Sequence, residues 1–183
     1  MSEKDKMISG EYYNPLDKML ANERKRAKTL CFEYNHLHPH ENDKKKEIIS
    51  NLLGKVGDNF LLEPFFQCDY GYNIEIGDNF YSNHNLVILD PAPVKFGDNV
   101  LIGPNCGFYT AEHPLDVQER SKGIERAKSI CVGNNVWFGG NVVVLGGVNI
   151  GDNVVIGAGS VVVKDIPSNS LAVGNPCRVI KKI

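Results

Sequence analysis

Of the five histidines in the chain, one stands where a base would be useful. His36, His38 and His40 crowd into Asn35-His36-Leu37-His38-Pro39-His40, between two helical patterns, and His84 lies inside a regular repeat. His113, followed by Pro114, opens a charged stretch at the point where that repeat breaks off, after Thr110-Ala111. Imidazole, with an ordinary pKa of about 6.5, is largely neutral at pH 7 and can take a proton from a hydroxyl. A histidine at the root of a loop on a rigid scaffold suits a general base; the other reading is an incidental polar residue. Glu125, in the same charged stretch, can border a pocket there. A zinc centre needs three or four converging ligands, and the repeat region offers only His84 and His113, so no metal is expected. The five cysteines, Cys31, Cys68, Cys106, Cys131 and Cys177, are odd in number and contain no C-x-x-C pair. They read as small residues of a reducing cytosol, not as a disulfide or zinc framework.

The scaffold that positions His113 announces itself by repetition. Val56-Gly57-Asp58-Asn59, Ile76-Gly77-Asp78-Asn79, Phe96-Gly97-Asp98-Asn99, Val132-Gly133-Asn134-Asn135 and Ile150-Gly151-Asp152-Asn153 begin 20, 20, 36 and 18 residues apart. Such a period marks a solenoid whose repeats are stacked coils. A finer period of six runs through Val132, Phe138, Val144, Ile150, Ile156 and Val162, each followed four residues later by Val136, Val142, Val148, Val154, Ser160 and Ile166. Three hexads make a triangular coil with three short strands. Both marked positions point inward, and glycine and asparagine turn the corners because they tolerate positive φ. Parallel strands then stack in layers ~4.8 Å apart. An α-helix is excluded, since glycines recur through its interior and the apolar period is not 3.6. The aspartates Asp58, Asp78, Asp98 and Asp152 read as solvated turn charges. The expected fold is an all-β solenoid, a parallel β-helix of about five coils.

Two departures from the period stand out. The first two coils carry extra residues around Tyr70–Asn73 and at Ala92-Pro93, and the gap of 36 holds one coil plus Glu112–Ser129. That segment has no aliphatic period and is dense in charge, so it reads as a loop thrown out of the prism, and such loops are usually functional. Residues 1–54 differ in kind and form an expected helical cap on the solenoid of 55–183. Asn14, with Pro15 and Asp17, reads as the start of a helix carrying Leu16, Met19, Leu20, Ala27 and Leu30 on one stripe. Asn42 reads as the cap of a second helix that Gly54 stops. A net charge of −2 without a basic stripe argues against nucleic acid. The absence of a long apolar run argues against a membrane, and the polar start MSEKDKM against a signal peptide, so the cytoplasm is the expected location.

Several longer stretches resemble one family. Thr110-Ala111-Glu112-His113-Pro114, Gly133-Asn134-Asn135-Val136-Trp137-Phe138-Gly139-Gly140, Ile156-Gly157-Ala158-Gly159-Ser160-Val161-Val162, Lys164-Asp165-Ile166-Pro167 and Gly174-Asn175-Pro176-Cys177-Arg178-Val179-Ile180 closely resemble the maltose/galactoside O-acetyltransferases. So do Met7-Ile8-Ser9-Gly10, Arg24, Arg26-Ala27 and Tyr34-Asn35-His36 near the N-terminus. The resemblance implies a left-handed β-helix, a homotrimer, and direct acetyl transfer from acetyl-CoA to a hydroxyl of a sugar such as maltose, glucose or a galactoside. It makes His113 the base that deprotonates the acceptor. It places Asn83 in the acceptor and thioester region, Asp17 and Asp69 near the sugar, and Asp90 there too, with Pro91 in the alternative register.

For the cofactor, Trp137 would offer a flat face, Gly140 and Ala158 would leave room for the pantetheine arm, and Val163 would contribute backbone contacts. Lys164, Arg178 and Lys181 would meet the phosphates, where cationic donors bond strongly. A prism has flat faces and no deep cleft, so a pocket is most easily made between two copies. The competing readings are a hexapeptide acetyltransferase for an antibiotic or serine acceptor, and a non-catalytic solenoid scaffold.

Overall fold

The structure is a computed structural model that describes residues 1–183. Three parallel sheets form the sides of a prism. The first side stacks Leu61–Leu62, Tyr81–Ser82, Leu101–Ile102, Val136–Phe138, Val154–Ile156 and Ser170–Val173, closed by the antiparallel strand Arg178–Lys182. The second stacks Phe66–Cys68, Leu86–Leu89, Gly107–Tyr109, Val143–Leu145 and Val161–Val162. The third stacks Ile74–Glu75, Val94–Phe96, Ile130–Val132 and Asn149–Ile150, extended by single bridges at Lys55 and Ile166. The solenoid is therefore as expected, but it has about six turns where about five were expected. The twelve inward positions from Val132 to Ile166 are all buried. Phe80, Phe96, Phe108 and Phe138 climb through the axis edge to face, with centroids 5.3, 4.9 and 5.2 Å apart.

The corner between the third and first sides, here the asparagine edge, shows why the four-residue motif recurs. Asn59, Asn79, Asn99, Asn135 and Asn153 adopt φ of 53–56° or 57°, so asparagine makes the positive-φ turn. The glycines do something else. A Cβ on Gly77, Gly97 or Gly133 would lie 2.4 Å from a side-chain oxygen of the next coil, so no larger residue fits. Nor are the aspartates only solvated charges. Asp78 Oδ1 accepts the Asp58 N–H at 2.7 Å, Asp98 Oδ1 that of Asp78 at 2.8 Å, and Asn134 Oδ1 that of Asp98 at 2.8 Å. A sixth turn hides in Ile166-Pro167-Ser168-Asn169: Ser168 Oγ accepts the Asp152 N–H at 3.0 Å and Asn169 has φ 58°.

The N-terminal segment contains three helices, α1 (Glu3–Ser9), α2 (Lys18–Asn35) and α3 (Asn42–Leu52). Helix α1 lies outside the expected pair and is started by a capping box between Ser2 and Asp5. Asn14 does not cap α2. Its side chain accepts the Leu16 N–H in a local turn at 2.9 Å, and Asp17 caps the helix through Met19 and Leu20. Starting the helix later leaves Leu16 and Met19 exposed, and the buried stripe is Leu20, Ala27, Cys31 and Tyr34. Asn42 is the first residue of α3, with Glu41 in the cap position. Helix α2 closes the open end of the second side: the Asn35 amide donates to Phe66 O and accepts from Phe66 N, both at 2.8 Å, as a neighbouring strand would. Cys31 and Cys68 meet there as free thiols, Sγ to Sγ 3.8 Å. No helix is long and apolar enough to cross a membrane.

Candidate active site

Every extra residue of the chain falls on one corner, the edge from the second side to the third, here the insertion edge. The first coil turns there through Asp69–Asn73, the second through Asp90–Pro93, and the third throws out the charged segment. That segment is not a bare loop. Ala111–Glu112 and Arg126–Ala127 form an antiparallel ribbon tipped by the short helix α4 (Val117–Ser121). Its base is tied to the N-terminal segment, because Tyr13 and Glu125 exchange backbone hydrogen bonds at 2.8 and 3.0 Å.

These turns are organised by buried polar groups. Asp90 is fully buried, and its carboxylate accepts the N–H groups of Asp69, Tyr70 and Gly71 at 2.9, 2.8 and 2.7 Å. Burial nevertheless outweighs those donors and pushes its carboxyl up to about 6. Asp90 thus faces the backbone, and what it presents to solvent is Asp69. Thr110 acts similarly one coil on, its hydroxyl accepting the Ala92 N–H at 3.2 Å and donating to Leu89 O at 2.9 Å.

In front of Asp90 lies a recess of about 190 Å³ lined by Tyr13, Pro15, Leu16, Arg24, Asp69, Tyr70, Pro91 and Glu125. Arg24 donates to the Tyr70 hydroxyl at 2.7 Å and to the Pro15 carbonyl. Burial raises the Asp69 carboxyl, an effect opposed by Arg24, and pushes the Tyr70 phenol up to about 12. Glu125 Oε2 accepts the Tyr13 hydroxyl at 2.9 Å, and Glu125 Oε1 lies 3.7 Å from His113 Nε2. His113 is exposed and faces a second recess, of about 420 Å³, with Tyr12, Glu112, Leu115, Arg126 and Lys128. Its Nδ1 lies 3.0 Å from the Ile124 carbonyl. A carbonyl only accepts, so Nδ1 carries the proton and Nε2 keeps its lone pair, the form a base requires.

Asp69, Glu125 and His113 therefore meet at one edge, with Asp90 behind them. Asp17 adjoins the recess through Pro15 and Leu16, but its Oδ1 is engaged in capping α2. Of the other candidates, three line the corner between the first and second sides. Asn83 heads that corner in the second coil, where its side chain accepts the His84 N–H at 2.7 Å. Gly140 and Ala158 stack below it in the fourth and fifth coils, joined through the bond from Gly159 N to Gly140 O at 2.9 Å. Trp137 points outward from the first side, 54% exposed. Val163 and Lys164 are exposed at the far end of the insertion edge, and Arg178 and Lys181 on the terminal strand of the first side. Within one chain, then, Asn83, Gly140 and Ala158 lie on a different edge of the prism from His113, while Val163 and Lys164 share its edge at the far end. No three His, Cys, Asp or Glu side chains come together as a metal site would need.

Residues 6–57 match the maltose acetyltransferase hexapeptide capping motif, and residues 132–164 match the bacterial transferase hexapeptide with six repeats. A maltose O-acetyltransferase from Clostridium difficile 630 superposes with a TM-score of 0.99 at 50% identity, over 100% of this chain and 98% of that one. The chain belongs to the maltose/galactoside O-acetyltransferase family. Galactoside O-acetyltransferase of Escherichia coli K12 is 46% identical over 98% of this chain and 88% of its own. A galactoside acetyltransferase in complex with coenzyme A superposes with a TM-score of 0.97 at 45% identity, over 100% of this chain and 92% of that one. The protein is accordingly a hexapeptide-repeat acetyltransferase.

Tyr13, Arg24, Tyr70 and Pro91 complete the recess without having been singled out as site residues. Arg24 carried a readable signal, since it lies seven residues after Asp17 and so on the same side of α2. Tyr13 carried none, because its partner Glu125 is 112 residues away.

Proposed function

We propose that the protein transfers the acetyl group of acetyl-CoA to a hydroxyl of a sugar held in the Asp69–Glu125 recess, with His113 as the base. The observation that carries this reading is the bond from His113 Nδ1 to the Ile124 carbonyl, which leaves Nε2 free 3.7 Å from Glu125, itself part of a recess lined by carboxylate, phenol and guanidinium. Such groups suit the many hydroxyls of a sugar. Nε2 takes the hydroxyl proton as the oxygen attacks the thioester carbonyl; the C–S bond then breaks, and the thiolate of CoA leaves. Glu125 Oε1, 3.7 Å from Nε2, faces the positive charge that develops on the ring.

The cofactor arm follows the small-residue corner past Asn83, Gly140 and Ala158, against Trp137; Val163 contacts it from the far end of the insertion edge, and its phosphates lie on Lys164, Arg178 and Lys181. Since that corner and His113 lie on different edges, a working site joins two chains, and we propose a cytoplasmic homotrimer. An outward apolar row supports such an assembly: Leu61, Tyr81, Leu101, Trp137, Val155 and Leu171 are register neighbours on the first side. His113→Ala is expected to lower turnover about 10²- to 10⁴-fold, the usual yield of a general base, with acetyl-CoA still bound. Turnover within threefold of wild type, measured as CoA release over a sugar panel, would remove His113 from the chemistry. A fully active monomer by light scattering would remove the shared site.

A further inference from the structure

Of the five free thiols, only Cys31 and Cys68 touch each other, Sγ to Sγ 3.8 Å. Cys31 lies on the buried stripe of α2, and Cys68 ends the first strand of the second side. A clamp beside them holds the two elements in register. Asn35, one helical turn after Cys31, exchanges two hydrogen bonds of 2.8 Å with Phe66, which shares the buried face of its strand with Cys68. The sulfurs cannot drift apart without straining that clamp. One proton is shared between them. The bond from Cys68 holds the Cys31 thiol below its ordinary value, and the same bond, with burial, raises Cys68. Bonded sulfurs stand about 2.05 Å apart, so an approach of about 1.8 Å would join this pair. Both partners lead to the candidate recess. Cys68 directly precedes Asp69, and Cys31 follows Arg24 by about two helical turns on the same side of α2. Asp69 and Arg24 line that recess together.

We propose that Cys31 and Cys68 form an oxidisable dithiol, a modification site at which a small hydroperoxide makes an intramolecular disulfide that disturbs the recess. The Cys31 thiolate attacks the peroxide O–O bond, which breaks to give a sulfenic acid and, with the displaced thiol proton, an alcohol or water. The Cys68 sulfur then attacks the sulfenic sulfur; the S–O bond breaks and the oxygen leaves as water, taking the Cys68 proton. Each sulfur gives up one electron and the peroxide takes up two. Both side chains are buried, so a small oxidant is required and bulky thiol reagents are kept out. Closing the bond pulls the strand end that carries Asp69 against the helix that carries Arg24. The effect on the acceptor rests on the sugar reading given above; the disulfide itself does not.

The test treats the reduced oligomer with hydrogen peroxide, alkylates the remaining thiols in denaturant and maps the peptides by mass spectrometry. A Cys31–Cys68 cross-linked peptide is expected, formed at a rate independent of protein concentration, with Cys106, Cys131 and Cys177 still alkylated. In the oxidised protein kcat/KM for the sugar falls about tenfold, since misplacing a substrate-positioning group is costly, while the KM for acetyl-CoA is unchanged. Dithiothreitol restores the activity. Cys31→Ser, or Cys68→Ala should the first fold poorly, gives neither the cross-link nor this reversible loss; the wild-type map decides without either variant. Sulfinic acid at either cysteine, a cross-link to another thiol, or two unmodified thiols would overturn the dithiol. A complete disulfide with unchanged sugar kinetics would overturn its coupling to the recess. If no sugar is acetylated the sugar reading fails, and the peptide map still decides the dithiol.

Discussion

The asparagine edge and the insertion edge are built by the same coils and do opposite things. On the first, each turn copies the one below. An asparagine takes the positive φ, a glycine makes room, and an aspartate, asparagine or serine oxygen accepts an N–H from the preceding coil. Nothing there is left over for a ligand. On the second edge no two turns are alike, and the polar groups that organise them, Asp90 and Thr110, lie in the interior. Their burial lets other groups, Asp69 above all, point outward without a partner. Regularity here supplies rigidity, and the site exists because the chain departs from the repeat where the neighbouring coils and the N-terminal segment can brace it.

The sharpest way to break the insertion edge is Asp90→Ala. It strips the acceptor from three N–H groups in a turn shielded from water, which should cost about 3 kcal/mol or more. Chemical denaturation reads this as a lower midpoint at unchanged slope. A loss below 1 kcal/mol would show that water replaces the carboxylate. Acidity supplies an independent check. The Asp90 carboxyl is raised to about 6 in the folded protein, against about 3.9 in an unfolded chain. The folded state therefore binds this proton first as pH falls. The stability linked to it is present below about pH 4 and is lost as pH rises through about 6. Relative to Asp90→Asn, the wild type should lose stability over that window, and parallel pH profiles would reject the assignment.

The contrast between the edges also explains what could be read in advance. Inward positions in stacked coils must be apolar at a fixed period, so Val132 to Ile166 disclosed the solenoid residue by residue. The sixth turn escaped because Ile166-Pro167-Ser168-Asn169 replaces both glycine and aspartate while keeping their geometry. His113 and Glu125 were readable as chemistry, since a charged segment broke the period around them. Asp90 was placed by its match to the family, but its role was not: an aspartate in a turn looks the same in sequence whether it faces solvent or three backbone N–H groups. The tie between Tyr13 and Glu125 joins a segment before α2 to the base of the ribbon, and no local pattern encodes it.

On the regular edge the larger effect belongs to Gly97→Ala. The added Cβ would sit 2.4 Å from Asn134 Oδ1 and 2.8 Å from the Gly133 backbone, and backbone held by the next coil cannot swing aside. Forcing the layers apart should cost about 2 kcal/mol, read as a lower thermal midpoint. Because the strain falls on the edge away from His113, kcat/KM of the folded enzyme should stay within twofold. A large fall in activity with stability intact would mean that the two edges are coupled, and the division of labour drawn above would fail.

The smallest effect separates an exposed ladder from a buried one. Asp78→Ala removes the acceptor of the Asp58 N–H, bonded at 2.7 Å, which is geometrically the same loss as one of the three at Asp90. The difference is solvent. Asp58 and Asp78 are both exposed, so water takes over the orphaned N–H, and only the net worth of one hydrogen bond is at stake, about 0.5 kcal/mol. The bond from Asp78 N to Asp98 Oδ1 at 2.8 Å is made by the backbone and survives the substitution. A shift of the denaturation midpoint several times smaller than that of Asp90→Ala is therefore expected, with no change in activity. A cost comparable to that of Asp90→Ala would show that the ladder acts cooperatively along the whole edge, so that removing one rung loosens its neighbours, and burial would no longer account for the difference between the two edges.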